Sequence, residues 1–367
     1  MLAFVGLAAL AAALAGAAWL VLAGAGAAVA LKRGEEAGVD LRTPALLMLV
    51  GAVASMLVLE AAILFNDFSL AYLGTNHARA TPFPFNIATA WAALEGSIVL
   101  WGLVLATFTW LVWRDHERRR DPLSAGALAV MGLVGLFFFG LMLTVANPFE
   151  VCVEAVAERC LASSPWPWSA IQAPADGPGP NPLLQNHILM AIHPPLIYVG
   201  YVGLTAPFAY AISALALTLP GPEWLRRTRR WTLVAWSFLT LGILFGGWWA
   251  YEVLSWGGYW AWDPVENASL LPWLVATAFI HSSLVQQRRG MLQAWNFVLV
   301  ISAFALTIFG TFLTRSGTIT SVHSFTQSAI GPVLLGFLVL VLAGSFALFA
   351  TRSHLVASAP RLDSFWS

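Results

Sequence analysis

Charged residues are scarce in this chain: only 10% of its 367 residues are Asp, Glu, Lys or Arg, whereas soluble globular proteins carry about 25%. That scarcity excludes an ordinary water-soluble domain. The hydrophobic content of 59% and the mean hydropathy of +0.77 predict an integral membrane protein. The formal net charge is zero, so nothing indicates a nucleic-acid partner, which would favour a basic surface.

Cysteine is scarce as well, and its two copies are Cys152 and Cys160. Neither belongs to a C-x-x-C-H motif, which excludes covalent attachment of haem to this chain through that motif. If these residues face an oxidising compartment, they could form a local disulfide, but the spacing alone leaves two separate thiols equally open. A basic amino-terminal region is missing before the first apolar run, so residues 2–31 are expected to be a retained span.

Long apolar runs, by contrast, are abundant. A helix needs about 20 apolar residues to cross the hydrocarbon core, and none of the runs alternates as a membrane barrel strand does. The predicted fold class is therefore all-α: a polytopic transmembrane helical bundle of about nine spans that forms a single domain over residues 1–367. The runs are 2–31, 45–65, 87–112, 124–146, 188–216, 231–247, 270–285, 292–314 and 330–350.

Basic residues divide unequally between the two sets of connections. Fifteen of the 18 lie in alternate connections, and the other set holds only Arg79, Arg159 and Arg315. By the positive-inside rule, the arginine-rich connections are cytoplasmic and the amino terminus lies outside. The outer face then carries a long connection at 147–187, expected to be irregular because it is rich in Pro, Gly and Asn, and a tryptophan-rich connection at 248–269.

Six of the 18 tryptophans fall between residues 248 and 273. An aromatic belt at the membrane interface is the simple explanation, but it explains poorly why three of them crowd into one loop beside two glycines. Glycine lets a ligand approach the backbone closely, and indole rings offer flat apolar area. The pattern favours a platform for a large, flat ligand. The residues assigned to it are Trp248, Trp249, Trp256, Gly257, Trp260 and Trp262.

Two histidines in neighbouring outer connections, His193 and His323, suggest that this ligand carries a metal. Neutral imidazole is a common axial ligand of haem iron, so the features together point to haem. Arg315 could pair with a haem propionate, or it could anchor a helix end at the interface. His281 lies near the middle of the seventh span, where it is either a metal or haem ligand or an interhelical hydrogen-bonding group.

The residues after the tryptophans are typical of a helix start. Asp263 suits the N-cap, Pro264 the first helical position and Glu266 the reciprocal bond of a capping box. That structural role does not exclude a ligand contact by Asp263 at the same helix mouth. The remaining histidines lie in predicted loops and are expected to be solvated or interfacial: His77, His116, His187 and His354.

Residues 256–268, Trp-Gly-Gly-Tyr-Trp-Ala-Trp-Asp-Pro-Val-Glu-Asn-Ala, resemble the WWD signature of haem-handling membrane proteins. More narrowly, the chain resembles the CcmF family of cytochrome c haem lyase subunits, from about residue 40 to its end. The supporting stretches are 90–97, 181–185, 192–198 and 313–323, together with His281.

The resemblance implies haem binding and presentation for covalent attachment to apocytochrome c, as one component of a haem lyase. His193 and His323 would hold the delivered haem. His281 would be one of two ligands of a resident b-type haem that reduces the delivered iron; the family's second ligand lies beyond the stretch that corresponds to Ser367. Implied partners are the membrane, the haem chaperone CcmE, CcmH- and CcmI-type thiol and apocytochrome-binding subunits, apocytochrome c and a quinol. The implied location is the bacterial inner membrane, with the amino terminus and the tryptophan loop in the periplasm.

Two other functions stay open from the sequence. A transmembrane haem transporter would need a polar path through the bundle, which His281, Glu60 and Glu95 support only thinly. A quinol-linked electron-transfer subunit would depend mainly on His281 and little on the outer histidines.

Overall fold

The computed structural model describes residues 1–180, 186–254, 257–317 and 329–356. Helices dominate these residues, and the one sheet among them is a two-stranded antiparallel hairpin. The elements are α1 (Leu2–Lys32), α2 (Arg42–Leu64), α3 (Ala71–Asn76), α4 (Phe83–Ala92), α5 (Leu94–Arg119), α6 (Pro122–Met142), β1 (Val151–Val156), β2 (Arg159–Ser164), α7 (Ile188–Gly203), α8 (Thr205–Ala216), α9 (Glu223–Val253), α10 (Pro264–Arg289), α11 (Gln293–Arg315), α12 (Ile330–Arg352) and a 3₁₀ turn (Ser353–Leu355).

Within the described residues, nine helical segments are long and apolar enough to cross a membrane, which confirms the predicted polytopic bundle. Two of the predicted runs are interrupted. The run 87–112 breaks at Ala93, which has an extended backbone between α4 and α5. The run 188–216 bends at Leu204 between α7 and α8, where Pro207 lacks the N–H that a continuous helix would use.

Small residues let the first helices pack closely. α1 lies against α2 and α6, and a Cβ added at Gly16 would stand only 2.5 Å from the backbone nitrogen of Met48. The reciprocal contact is equally tight, since a Cβ at Gly51 would stand 2.6 Å from the nitrogen of Ala13. Close backbone approach through small residues is the usual basis of helix association in membranes.

Contacts between helix ends agree with the alternating topology. On one face of the bundle, the Lys32 ammonium donates to the Thr218 hydroxyl at 2.8 Å, joining the ends of α1 and α8. On the opposite face, the His187 ring pairs with the Glu252 carboxylate at 2.7 Å, joining α7 and α9. The first of these faces carries the arginine-rich connections.

The long connection after α6 is more regular than its composition predicts. Instead of an irregular segment, residues 151–164 form the hairpin β1–β2, and Cys152 and Cys160 are joined by a disulfide. The hairpin is tied to the segment before α3, because the Cys152 N–H donates to the Ser69 carbonyl at 2.9 Å. Backbone pairing and the covalent link therefore override the irregularity that Pro and Gly suggest in isolation.

The tryptophan connection is shorter than the predicted 248–269 loop. Helix α9 continues to Val253 and α10 begins at Pro264. Trp248 and Trp249 are therefore helical rather than loop residues. Of the platform tryptophans among the described residues, only Trp260 and Trp262 lie in the connection itself.

Candidate functional site

The bundle encloses a cavity of about 320 Å³ near one membrane face, within the size range of small-molecule and cofactor sites. Helices α4, α7, α9, α10 and α11 and the tryptophan connection all contribute to its wall. Most of the wall is apolar or aromatic. The lining residues used below are Trp91, Met190, His193, Ile197, Tyr198, Tyr201, Gly246, Trp249, Trp260, Glu266 and Arg315.

His193 enters the cavity from the second turn of α7. Its Nδ1 lies 3.1 Å from the carbonyl oxygen of Gly242. An Nδ1–H donating to that carbonyl makes Nε2 the nitrogen that carries the lone pair, which is the usual arrangement of a metal-binding imidazole. Gly246 makes room for the ring, because a Cβ there would stand 2.9 Å from two atoms of the imidazole.

Trp249 and Trp260 form aromatic walls of the cavity. The Trp249 ring is buried and stacks on the His193 ring, with centroids 6.0 Å apart. The indole N–H groups of Trp91 and Trp260 are buried and, within the described part of the chain, donate to no partner. Buried donors are nearly always satisfied, and a ligand with acceptor atoms in the cavity would satisfy both of these.

Two other assigned tryptophans, Trp248 and Trp262, lie outside the cavity wall. Trp248 is half exposed and donates its indole N–H to the Glu252 carboxylate. Trp262 is 70% exposed and meets Trp260 edge-on, with an interplanar angle of 85°. Its φ of +57° is left-handed, a conformation that is costly for a bulky residue and that clusters at functional sites. Gly257, in the same connection, also has a left-handed backbone, with a φ of +65°.

The mouth of α10 is fixed by a complete capping box. The Asp263 carboxylate accepts from the Val265 N–H at 2.9 Å, and the Glu266 carboxylate accepts from the Asp263 N–H at 3.2 Å and from the Ala261 N–H at 2.9 Å. The predicted helix start is therefore confirmed. Glu266 also lines the cavity, so the box connects the Trp260 segment to the cavity wall.

Arg315 lies inside the bundle rather than at an exposed helix end. The side chain is 4% exposed, and its Nη2 donates to the Ser97 hydroxyl at 2.7 Å and to the Tyr198 hydroxyl. Both roles open from the sequence, pairing with a haem propionate and anchoring a helix end at the interface, stay predictions. A guanidinium keeps its charge when buried, so the cavity wall includes a cation held among hydroxyls.

His281 lies away from the cavity, on an exposed face of α10. Its Nδ1 lies 2.8 Å from the Thr277 carbonyl, which again makes Nε2 the outward lone-pair nitrogen. The same turn carries a reciprocal pairing between α9 and α10. Trp236 donates to the Thr277 hydroxyl and Trp273 donates to the Thr240 hydroxyl, both at 2.8 Å, and the two indoles stack.

Trp256 and His323, two further residues of the predicted site, lie outside the described residues. Among the residues that are described, no three His, Cys, Asp or Glu side chains gather to hold a bare metal ion.

Two histidines expected to lie in loops, solvated or interfacial, are buried within the protein instead. His77 is fully buried and pairs with Asn66, its Nε2 lying 2.9 Å from the amide oxygen. His116 is buried inside α5, and its Nδ1 lies 2.8 Å from the Ser124 hydroxyl. The prediction was wrong because α5 runs about seven residues beyond its apolar stretch and because the 147–180 segment covers His77.

Sequence reasoning also missed the tyrosines of the cavity. Tyr198 bonds Arg315, and Tyr201 is buried and donates its hydroxyl to the Ala268 carbonyl of α10. The sequence does contain a signal for them, which is the three- and four-residue spacing of one helix face. The residues with this spacing are Met190, Pro194, Ile197, Tyr198 and Tyr201. All five line the cavity.

The family profile of the "Cytochrome C assembly protein" matches residues 91–320, which include every cavity-lining residue named above. The chain belongs to the cytochrome c assembly protein family. The match spans more than half of the chain, from the last residues of α4 to beyond the end of α11.

Relatives and a solved structure narrow this family further. The chain is 44% identical over 298 residues to the cytochrome c-type biogenesis protein CcmF of Pseudomonas aeruginosa, covering 81% of this chain and 43% of that protein. It is 42% identical over 324 residues to CcmF of Escherichia coli K12, covering 88% and 47%. A solved structure described as cytochrome c heme lyase CcmF superposes with a TM-score of 0.74 at 39% identity, covering 96% of this chain and 51% of that one.

These relatives confirm the expected resemblance to the CcmF family. The chain spans about half the length of the curated relatives that it matches. The fold of the described residues and the family of the chain are therefore established. Whether the chain shares the activity of the longer relatives is taken up as a proposal below.

Proposed function

We propose that this chain binds haem in the cavity around His193 and presents it to apocytochrome c for covalent attachment, as one component of a haem lyase. The observation that carries the proposal is the meeting of an imidazole, an aromatic wall and a buried guanidinium in one cavity, contributed by different helices. The names of the relatives, cytochrome c-type biogenesis protein and cytochrome c heme lyase, agree with it.

The side chains fit the three chemical parts of haem. His193 offers a ligand nitrogen for the iron, since the Gly242 carbonyl takes the other ring nitrogen. Trp249 and Trp260 offer apolar faces to the macrocycle. Arg315 and the two orphaned indole N–H groups offer a cation and two donors to the propionates. We include His323 and Trp256 in the site as predictions from the sequence.

The chain itself contributes position rather than a nucleophile. Haem supplies the vinyl groups to which the two client thiols add, each forming a carbon–sulfur bond while its proton goes to the neighbouring vinyl carbon. The α7 and α11 walls of the cavity would position the macrocycle and limit its contact with water. The protein therefore acts by holding the substrate where client thiols can reach its edge.

We propose that His281 would be one ligand of a second, resident b-type haem. The Thr277 carbonyl orients the ring, and the exposed face of α10 leaves Nε2 accessible to a group packed against that face. The paired tryptophans and threonines hold α9 and α10 together beside it. A resident haem here would supply electrons to the delivered iron.

The remaining assignments extend this proposal to the cell. We place the chain in the bacterial inner membrane with its arginine-rich face in the cytoplasm, because positive residues favour that side. The cavity and the tryptophan connection then face the periplasm, where a haem chaperone of the CcmE type, thiol and apocytochrome-binding subunits of the CcmH and CcmI type, and a quinol would meet it.

The test is replacement of His193 by alanine in cells that depend on this chain for cytochrome c. We expect the level of holocytochrome c, measured by haem staining, to fall at least about tenfold, because loss of an iron ligand or its support costs binding by that order. The absorption spectrum of the purified variant should still show any b-type haem held by His281.

His354→Ala is the matched control, since His354 is exposed in the terminal 3₁₀ turn and far along the chain from the cavity. That variant should keep the normal level of holocytochrome c. A normal level in the His193→Ala variant, with the protein present in the membrane, would contradict haem presentation by this cavity.

A further inference from the structure

Arginine side chains converge where the end of α5 meets the start of α9. Two adjoining grooves of about 320 and 300 Å³ lie at this corner, on the membrane face opposite the haem cavity. Among the described residues that line them, the only acidic one is Asp115. The arginines are Arg114, Arg118, Arg119, Arg226, Arg227, Arg229 and Arg230.

A buried carboxylate organises the corner. Asp115 is 4% exposed and takes ion pairs from two helices, with Arg119 at 3.1 Å and with Arg230 at 3.0 Å. Arg230 in turn lies over the Trp231 ring, 4.2 Å from its centroid. The guanidiniums of Arg119 on α5 and Arg230 on α9 are therefore held around one carboxylate instead of extending separately into water.

Positive charge remains in excess after these pairs are counted. Arg227 pairs with Asp121 and Glu223, and Arg226 pairs with Glu223. Within the part of the chain that the structure describes, Arg114, Arg118 and Arg229 form no ion pair. Seven guanidiniums thus share three carboxylates, so the grooves attract an anion.

Apolar side chains continue the grooves toward the bilayer. Leu111 is 37% exposed and Leu233 is 39% exposed, and each lines one groove. Leu111 precedes Arg114 by three residues and Leu233 follows Arg230 by three, so each leucine shares a helix face with an arginine. The order from water to membrane is cations first and hydrocarbon second.

Sidedness alone does not account for this arrangement. Basic residues that only set orientation need to lie near the helix ends, but they need neither a groove nor a buried carboxylate shared by two helices. The layered order matches a phospholipid, whose phosphate stands at the height of the helix ends and whose acyl chain runs below. Arginine is the side chain best suited to bind phosphate through two parallel hydrogen bonds.

We propose that this corner binds the phosphate of an anionic phospholipid, with an acyl chain against Leu111 and Leu233. The proposal does not depend on the haem function, because it concerns the opposite face of the bundle. It assigns the membrane leaflet on this face a specific lipid contact between α5 and α9. The same guanidiniums could take a soluble phosphate, so the test separates the two sources.

The first measurement uses the unaltered full chain. We titrate the purified protein with phosphatidylglycerol, phosphatidylcholine and glycerol phosphate, and read binding by native mass spectrometry. The proposal expects binding of phosphatidylglycerol at least about tenfold tighter than of either comparison. Equal affinity for phosphatidylcholine would overturn anionic selectivity, and equal affinity for glycerol phosphate would overturn the lipid in favour of a soluble phosphate.

The second measurement uses the double variant Arg118→Gln with Arg229→Gln, since neither side chain pairs with a described carboxylate. Because each cation near a lipid surface favours an anionic lipid, we expect affinity for phosphatidylglycerol to fall roughly tenfold to thirtyfold. The control is Arg288→Gln with Arg289→Gln, which removes two exposed cations from the end of α10 on the same face. An equal loss in both pairs would reduce the effect to general charge and overturn a localised site.

Discussion

Gly246 is the residue on which the geometry of His193 depends most directly. The imidazole lies where a side chain at this position would stand, with two ring atoms 2.9 Å from an added Cβ. The ring can therefore reach the Gly242 carbonyl and the Trp249 face only because residue 246 has no side chain. A close packing requirement of this kind lies between two helices and cannot be read from either helix alone.

Replacing Gly246 by alanine should displace His193 while leaving the bundle folded. The helix propensity of alanine is more favourable than that of glycine by about 0.5–1 kcal/mol. This gain in helix stability partly offsets the clash between the new Cβ and the His193 ring. We expect haem affinity of the cavity, measured by absorption titration, to fall about tenfold.

Gly344→Ala provides the matched control for this change. Gly344 also lies inside a spanning helix, α12, but an added Cβ there meets open space. Haem affinity should be unchanged in that variant. Unchanged affinity in both variants would show that His193 does not hold the haem.

We expect the stability of residues 66–78, the segment around His77, to depend on pH. Burial lowers the pKa of His77 below its ordinary value of 6.5, outweighing the opposing influence of Asp176. Above pH 6.5, His77 is neutral in both the folded and the opened segment, so its burial does not reduce the stability of the segment. As the pH falls below 6.5, the opened segment takes up a proton that the folded one does not, and stability declines.

Amide hydrogen exchange of residues 66–78, corrected for the intrinsic effect of pH, should therefore be faster at pH 5.5 than at pH 7.5. The His77→Gln variant should lose this difference. Asp176 does not confuse the result, since the Arg79 N–H lowers its pKa below 3.8 and confines its influence to more acidic solutions. A pH effect of the same size in the glutamine variant would exclude His77 as its source.

At the scale of elements, the start of α10 connects stability with the site. Asp263 caps the helix, and its box partner Glu266 contacts both the tryptophan connection and the cavity. Loss of such a cap costs about 1 kcal/mol. Loss of the Asp263 cap would also release the segment that carries Trp260.

We therefore expect Asp263→Ala to lower the thermal stability of the protein and to weaken haem binding several-fold. Asp121→Ala is the comparison, because Asp121 caps α6 on the opposite face through the Ser124 N–H at 3.1 Å. It should lower stability by at least as much, because Asp121 also pairs with Arg227, and leave haem binding intact, as followed by thermal melting and haem titration. Equal losses of haem binding would point to general destabilisation.

The spanning helices were predictable because the membrane requires long apolar stretches that satisfy their own backbone. Their ends were less so. Helix α9 begins eight residues before its apolar run, because exposed arginines continue the helix outside the hydrocarbon. The helix start at Asp263 was predictable because capping is local, whereas the break at Ala93 depends on packing around α4 and α5.

At the scale of the whole molecule, sidedness is the property that remains to be measured. The structure groups the arginine-rich ends on one face, and we place that face in the cytoplasm. Native cysteines do not interfere with labelling, since the chain has only two and they are joined. Single cysteines introduced on opposite faces can therefore report orientation.

Trp168→Cys lies in the segment beyond β2, and Arg229→Cys lies near the start of α9; both residues are exposed. In intact cells, a membrane-impermeant maleimide should label the cysteine at 168 and spare the one at 229. After the inner membrane is opened, both should react. The reverse pattern would invert the proposed topology and move the haem cavity to the cytoplasmic side.

The site was only partly predictable, and the reason is the distance along the chain between its parts. His193, Trp249, Trp260 and Arg315 were assigned from motifs, and they do meet in one cavity. Tyr198 and Ser97 hold Arg315 from α7 and α5, a contact that only the packing of three helices creates. Trp248 and Trp262 share the motif but lie outside the wall, because neighbouring residues in a helix or turn point in different directions.

The disulfide of the β1–β2 hairpin has a practical consequence for preparing this protein. A cystine link persists only where glutathione and thioredoxin do not reduce it, so cell-free synthesis in a reducing extract should yield two titratable thiols at positions 152 and 160. Material recovered from cells should yield none before denaturation with a reductant. Preparations made by the two routes would then differ in the oxidation state of Cys152 and Cys160. A thiol assay would show whether a sample used for spectroscopy contains the disulfide or the two thiols.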